Sequence, residues 1–241
     1  MTRNIAPTAD RTPTVVPTGT SAATRSAPDT TSAPTTRALL GCGIVAGPLY
    51  VVTGLAQALT RDGFDLRRHS LSLLSNGDLG WIQISNLVAS GLLTVLSAVG
   101  LWRTLHPGRA GTWGPILLGI YGSGLVAAGA FRADPAYGFP RGTPDGPGTV
   151  SWHGLLHFTC GGIGFIALIA ACVVFARRFA ALGRRGWAAY SVTTGVLFFA
   201  AFAGIASGWQ LAAINIGFGL AVVLGWTWIA LLAADVRRSA R

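Results

Sequence analysis

The sequence predicts an all-α fold, an integral membrane bundle of six transmembrane helices preceded by a disordered N-terminal tail. Three observations predict it. Of the 241 residues, 51% are hydrophobic and only 11% are charged, which is more apolar than a soluble globular domain. The mean hydropathy is correspondingly high, at +0.54. Finally, the apolar residues are gathered into six runs, each close to the roughly 20 residues that cross a bilayer core.

The first 36 residues differ in composition from the rest of the chain. They are rich in Thr, Pro, Ala and Ser, and they lack the apolar run of about 7 to 15 residues that a cleavable signal peptide needs. Residues 1–36 are therefore predicted to be a disordered cytoplasmic tail, a solvated extension rather than a targeting segment. Residues 37–236 are predicted to form the six-helix transmembrane domain, and residues 237–241 a short cytoplasmic C-terminal tail.

The six apolar runs give the predicted helices in order. They cover residues 38–59, 81–105, 113–131, 152–175, 187–206 and 211–234. The two longest connections, 60–80 and 132–151, are too short to bury a core of their own, so no soluble domain is expected. The short S-G-W-Q connection predicts that the last two helices are antiparallel neighbours. The cysteines, Cys42, Cys160 and Cys172, lie within the apolar runs and are interpreted as small core residues rather than as disulfide partners.

Charge predicts the orientation of the bundle. If the helices cross alternately, thirteen of the eighteen arginines and three aspartates lie on the side of the N-terminus, a net charge of +10, whereas five arginines and five aspartates balance on the other side. The positive-inside rule then places both termini in the cytoplasm and predicts a multi-pass plasma-membrane protein. The basic excess is explained by topology and by anionic lipid, so the predicted partner is the bilayer and not nucleic acid.

Tryptophans support the same orientation. In the predicted topology they mark the two membrane interfaces, with Trp81, Trp152 and Trp209 at the outer ends of helices and Trp102, Trp113, Trp187 and Trp228 at the inner ends. Such aromatic belts are typical of membrane proteins. Trp226 is the exception, because it is predicted to lie deeper.

Small and polar residues within the spans are expected to hold the helices together. Gly43 and Gly47 have GxxxG spacing, which allows close approach of helices, and packing inside the bundle is favoured over a dimerisation motif. Gln83, Asn86 and Asn215 are expected to hydrogen-bond to neighbouring helices.

The first outer loop contains a predicted amphipathic segment. Helical spacing over residues 66–76 places His69, Ser72 and Asn76 on one face and leucines on the other. The segment can lie in the outer interface or dip back under the bundle, and Asn76-Gly77 is expected to end it.

The second outer loop leads into a pair of histidines. Four prolines and four glycines lie between Phe131 and Gly148, counting Gly148 itself, which restricts this loop and favours turns. Ser151 is expected to cap the fourth helix. His153 and His157 follow four residues apart, so they share one helical face.

Three stretches resemble a known family. The run S-L-L-S-N-G-D-L-G-W-I-Q-I-S-N enters the second helix, D-P-A-Y-G-F-P-R-G follows the third, and H-G-L-L-H opens the fourth. Together they are similar to the bacterial multi-pass membrane family called domain of unknown function 998. The resemblance spans about residues 38–234. It implies a polytopic helical bundle and no established reaction.

The most specific chemical hypothesis is a metal site on the outer face. His153 and His157 can supply two ligands from one helix face, and His69 and Asp134 from the two loops can complete a zinc site with an open position for water. A zinc-bound water can have a pKa of about 7, which would make a membrane hydrolase possible. The simpler alternative is that these histidines hydrogen-bond to Asp134 or to loop carbonyls.

A second hypothesis concerns the neighbouring arginines. Arg67 and Arg68 can bind an anion such as a lipid phosphate headgroup. The alternative, which is favoured, is that one of them pairs with Asp62, Asp65 or Asp78.

Three function classes follow from these observations. The favoured class is a non-enzymatic or lipid-interacting bundle with a polar cluster on its outer face. The alternative is a metal-dependent membrane hydrolase that uses His69, Asp134, His153 and His157. A transporter ranks lowest because the spans contain no acidic residue and no inverted repeat is evident. The oligomeric state is left open.

Overall fold

The computed structural model describes residues 1–2 and 32–240, and this part of the chain is helical with no β-strand. The six long helices are α1 (Ser32–Thr60), α2 (Gly80–Leu105), α3 (Arg109–Ala130), α4 (Trp152–Ala181), α5 (Arg185–Ala206) and α6 (Ala212–Ser239). All six are long and apolar enough to cross a membrane. The predicted class and helix number are therefore confirmed, and the protein is a multi-pass membrane protein.

The helix ends extend beyond several predicted boundaries. α1 begins at Ser32, inside the predicted tail, whereas tail residues 3–31 lie outside the described part of the chain. α4 continues past Arg177 and Arg178, and α6 past Arg237. The prediction ended these helices where charge begins, but the backbone hydrogen bonds that propagate a helix do not require apolar side chains. Long arginine side chains can also reach the interface from a helix end.

Consecutive helices pack side by side, and α6 returns to pack against α1, so the helices close a ring in chain order. α5 and α6 are antiparallel neighbours, as their short connection predicts. Large buried side chains fill the interior on the side of the termini, among them Phe175, Phe179 and Trp228. The prediction that Trp228 belongs to an interfacial belt is wrong. It is fully buried, and its indole N–H donates to the Ser191 hydroxyl at 3.0 Å.

Glycines set the closest approaches between helices. A Cβ added to Gly91 of α2 would lie 2.6 Å from the carbonyl oxygen of Gly122 of α3, and one added to Gly122 would lie 2.7 Å from that of Gly91. Gly43 and Gly47 of α1 similarly face Ala233 and Trp226 of α6. Packing within the bundle is thus confirmed for this GxxxG pair.

A polar network joins α1 to α2 inside the bundle. Gln57 donates from Nε2 to Gln83 Oε1 at 2.9 Å, and Asn86 donates from Nδ2 to the Tyr50 carbonyl at 3.1 Å. Gln83 is 0% exposed. The expected hydrogen bonds of Gln83 and Asn86 to a neighbouring helix are confirmed, and they replace the water that the bilayer does not supply. The same expectation for Asn215 is wrong, because its amide donates to the Leu211 carbonyl at the start of its own helix, at 3.5 Å.

The end of the bundle opposite the α1–α2 and α3–α4 loops is held by an ion pair. Arg184, just before α5, donates two hydrogen bonds of 2.8 Å to the carboxylate of Asp235 near the end of α6. Its guanidinium also lies over the rings of Phe179 and Trp187. Donation to the Asp235 carboxylate raises the pKa of Arg184. This bidentate pair ties α5 to α6 at the arginine-rich end.

The Gly91–Gly122 contact can be tested by adding one methyl group. We expect Gly91→Ala to destabilise the bundle by about 1–3 kcal/mol, because the new Cβ meets backbone that cannot move aside cheaply. Gly119→Ala is the matched control, because its Cβ would meet the nearest atom of α2, Ala98 Cβ, at 3.9 Å. The measurement is thermal unfolding in detergent. Equal midpoints for the two variants would contradict the close packing.

Candidate functional site

Two loops on one side of the bundle fold together into a cap, formed by residues 61–79 and 131–151. A small apolar core joins them, with Leu74 and Phe139 almost completely buried. The rings of Phe64 and Phe139 meet edge to face with centroids 5.1 Å apart. The cap is therefore a packed unit rather than two independent loops.

Arg61 organises the cap from the end of α1. Its guanidinium donates to the carbonyl oxygens of Leu74 and Asn76, both at 2.7 Å, and lies over the Phe139 ring at 5.1 Å. Burial lowers the pKa of Arg61, and the nearby charge of Asp78 opposes that shift. No residue pattern predicts this role of Arg61, because its partners are backbone carbonyls.

His69 joins the two loops of the cap. The backbone N–H of Asp65 donates to its Nδ1 at 2.9 Å, so Nδ1 carries no proton and Nε2–H donates to the Tyr137 carbonyl, also at 2.9 Å. The ring is 3% exposed. Both ring nitrogens thus have structural partners.

The predicted amphipathic segment does not form a continuous helix. Only residues 71–75 are helical, as a short 3-10 turn. His69 from the predicted polar face and Leu74 from the predicted apolar face are both buried. The segment is packed within the cap, and each side finds partners there. Gly77 ends it with a φ of +72°, as the Asn76-Gly77 pair predicts.

Asp134 caps the start of α4. Its carboxylate accepts from the Ser151 backbone N–H at 2.8 Å and from the Ser151 hydroxyl at 2.5 Å. The same hydroxyl accepts from the Gly154 N–H at 3.1 Å, which confirms Ser151 as the helix cap. A Cβ at Gly154 would collide with the carboxylate. Asp134 therefore places a negative charge at the positive end of the α4 dipole.

The two histidines of α4 have different environments. His153 is exposed and stacks on Trp152 with ring centroids 3.5 Å apart. His157 is only 8% exposed, and its Nδ1 lies 2.9 Å from the carbonyl oxygens of Ala128 and Phe131. Because both partners are acceptors, Nδ1 carries the proton, and His157 caps the C-terminal end of α3.

The four predicted metal ligands are not brought together. Within residues 1–2 and 32–240, no group of three or more His, Cys, Asp or Glu side chains could hold a metal ion. His69 and Asp134 use their polar atoms in hydrogen bonds within the cap. A shared zinc ion stays a prediction, and it would require these side chains to leave the partners described above.

The arginines singled out as an anion site have acidic partners. Arg67 contacts Asp65 at 3.4 Å, and the Arg67 backbone N–H lowers the pKa of that carboxyl. Arg68 contacts Asp145 in the other loop at 3.2 Å. All four side chains are exposed, so these pairs contribute little to stability. An anion at either arginine would have to compete with a carboxylate already present.

Beneath the cap lies a cavity of about 100 Å³, which the sequence analysis did not anticipate. Loop residues 66–72 form its roof, and Tyr50, Tyr121 and Trp226 line its deep end. Its walls are apolar, with Phe165, Phe202 and Phe218 among the lining residues. All six helices contribute to it.

A crevice of about 200 Å³ lies beside the cavity, between α1 and α6. The two spaces share six lining residues, Tyr50, Leu66, Leu71, Asn215, Gly219 and Val222. The remaining crevice residues are aliphatic, and Leu55, Ile216, Leu220 and Val223 are exposed on the membrane-facing surface. The crevice is therefore open at the surface of the bundle and adjoins the cavity.

Among the polar groups on side chains that line the cavity, an indole N–H and an imidazole nitrogen lack a partner within the described residues. Trp226 is 1% exposed, and its indole N–H makes no hydrogen bond. His157 hydrogen-bonds through Nδ1 alone, which leaves Nε2 as a free acceptor on a cavity-lining ring. A buried donor without a partner costs about 1–3 kcal/mol, so such groups commonly mark a bound water or ligand.

Residues 44–235 match the model of the family described as "Protein of unknown function (DUF998)". The chain belongs to this family. The matched region runs from α1 to α6 and includes both loops of the cap. Separate searches of curated proteins and of solved structures found no match to the chain.

The cavity residues of this DUF998 protein were partly visible in the sequence. Trp226 stood out as the tryptophan away from the interfaces, and Asn215 as a lone amide in the last span. Tyr50 and Tyr121 were missed, although a phenol at mid-span is itself a polar signal. Their convergence required the helix ring, because they come from α1 and α3 and meet Trp226 with ring centroids 5.1 and 5.6 Å away.

The role of Arg61 can be tested by charge removal at matched positions. We expect Arg61→Gln to destabilise the DUF998 protein by about 2 kcal/mol, because two buried carbonyls lose a charged donor. Arg67→Gln removes an arginine whose partner is exposed and should change stability by less than about 1 kcal/mol. Thermal unfolding in detergent is the measurement. A smaller effect at Arg61 than at Arg67 would refute its organising role.

Metal analysis of the purified protein tests the shared zinc ion. Given the hydrogen bonds of His69 and Asp134, we expect neither His153→Ala nor His157→Ala to lower the zinc content. His153→Ala is informative even if His157→Ala folds poorly, since His153 is exposed. Stoichiometric zinc that falls with either replacement would instead establish the predicted site.

Proposed function

We propose that this DUF998 protein is a non-enzymatic membrane protein that binds a lipid amphiphile in the cavity beneath its cap. The observation that carries the proposal is the buried Trp226 N–H, which has no hydrogen-bond partner on a side chain lining that cavity. An apolar space with a few polar groups is the usual form of a small-molecule site.

The crevice between α1 and α6 supports a ligand that comes from the bilayer. Its aliphatic lining continues from exposed residues at the lipid-facing surface to Asn215 and Tyr50 at the cavity. An apolar chain can occupy the crevice while a polar group enters the cavity. A water-soluble ligand would have no need of this lateral path.

The proposed orientation places the cap outside the cell and both termini in the cytoplasm of a plasma-membrane protein. It is supported by the arginine excess on the side of the termini, since basic residues concentrate on cytoplasmic loops. The ligand would then come from the outer leaflet.

The hydrolase alternative has less support. It needs His69, Asp134, His153 and His157 to share one ion, and the first two of these instead hold the cap together. An anion site at Arg67 and Arg68 likewise competes with Asp65 and Asp145. Neither alternative accounts for the cavity.

Filling the passage between crevice and cavity tests lipid binding. Gly219 lines both spaces, and a Cβ there would meet nothing within 4 Å. We expect Gly219→Leu to fold normally and to lose the lipid that the wild-type protein retains through purification, as seen by native mass spectrometry. Gly217→Leu is the matched control, because it is on the same helix, has equal space and lies away from the cavity. Equal lipid retention by both variants would argue against the proposal.

Cysteine labelling tests the orientation. Thr149 in the cap and Ser239 near the end of α6 are both exposed. With a membrane-impermeant maleimide on whole cells, we expect Thr149→Cys to be labelled and Ser239→Cys to be labelled only after permeabilisation. The three native cysteines lie within the helices and serve as the background. The reverse pattern would invert the topology.

A further inference from the structure

The lining of the cavity limits the chemistry of its ligand. None of the described residues that line it is Asp, Glu, Lys or Arg. Its polar lining consists of hydroxyl, amide, imidazole and indole groups. A carboxylate, phosphate or ammonium placed there would have no counter-charge, and an unpaired buried charge costs several kcal/mol.

The size of the cavity limits the ligand further. At about 100 Å³, it is smaller than the apolar cavity of roughly 150 Å³ that can hold one benzene molecule. A headgroup of a few heavy atoms fits this space. A sugar or a phosphodiester with its substituents does not.

The hydrogen-bonding groups favour a hydroxyl. His157 Nε2 is an acceptor without a partner, because Nδ1–H is held by the carbonyls that end α3. Trp226 Nε1–H is a donor without a partner. A hydroxyl group can satisfy either one, since it both donates and accepts. An ester or ketone oxygen could not donate to His157.

We propose that the cavity binds an uncharged amphiphile with a small hydroxyl head, such as a long-chain alcohol, whose hydroxyl donates to His157 Nε2. The apolar chain lies in the crevice between α1 and α6. This inference rests on the proposed lipid-binding function and specifies its ligand class. His157 thus acts through both nitrogens, one on the end of α3 and the other on the ligand.

Photo-cross-linking with matched probes tests the ligand class. Diazirine-bearing hexadecanol, hexadecanoate and hexadecyl phosphate share one chain and differ only in the head. We expect the alcohol to label residues of the cavity or crevice of the full-length protein, with competition by unlabelled hexadecanol. The two anionic probes should label these residues at least about tenfold less, given the cost of an unpaired buried charge.

Two variants connect the labelling to named atoms. His157→Asn retains an N–H donor for the carbonyls of Ala128 and Phe131 but removes the Nε2 acceptor, and we expect it to lower alcohol labelling about tenfold, as for loss of one buried hydrogen bond. Gly219→Leu should abolish labelling, and Gly217→Leu should not change it. If His157→Asn fails to fold, the comparison of the three probes still tests the ligand class, and the comparison of Gly219→Leu with Gly217→Leu still tests where the ligand binds.

The outcomes separate the two proposals. Anionic probes that label the cavity as strongly as the alcohol would overturn the uncharged head while leaving lipid binding intact. Alcohol labelling unchanged in folded His157→Asn would overturn the role of Nε2. If no probe labels the cavity or crevice, the lipid-binding function itself is refuted.

Discussion

Every hydrogen-bonding group placed among these apolar helices must find its partner inside the protein, because the hydrocarbon of a bilayer offers none. This constraint explains why Arg61 and His69 hold loop carbonyls and why Gln83 and Asn86 join α1 to α2. It also identifies the exceptions. Among the described residues the buried side-chain atoms without a partner are Gln57 Oε1, Gln83 Nε2, Ser97 Oγ and Trp226 Nε1. The indole of Trp226 is the informative one, because only its side chain lines the cavity.

The same constraint separates what could be predicted from sequence from what could not. The six spans follow from the length of each apolar run, and all six were predicted. The predicted end of α4 stopped short of Arg177, whereas the helix continues to Ala181, because charge does not end a helix. The capping role of Ser151 was predicted because it depends on neighbours within three residues.

The candidate site was harder to predict, because its contacts join distant parts of the chain. His153 and His157 have the spacing of a ligand pair, yet one is exposed and the other is buried against the end of α3. Spacing defines a face of α4 but not what lies opposite that face. Asp134 and His69 were correctly assigned to the two loops, but apart from the Ser151 hydroxyl their partners are backbone groups, which carry no signature in the sequence. The cavity is formed by all six helices and therefore has no local pattern at all.

The connection between α3 and α4 is fastened at both ends. His157 of α4 binds the carbonyls that finish α3, while Asp134, which follows α3, binds the first turn of α4. A side chain of α4 thus caps the end of α3, and a loop residue that follows α3 caps the start of α4. The register of the two helices does not depend on the exposed segment near Thr149 and Val150. That segment is accordingly the place where an epitope or a fluorescent reporter can be inserted without disturbing the bundle, which gives a practical handle on the protein in living cells.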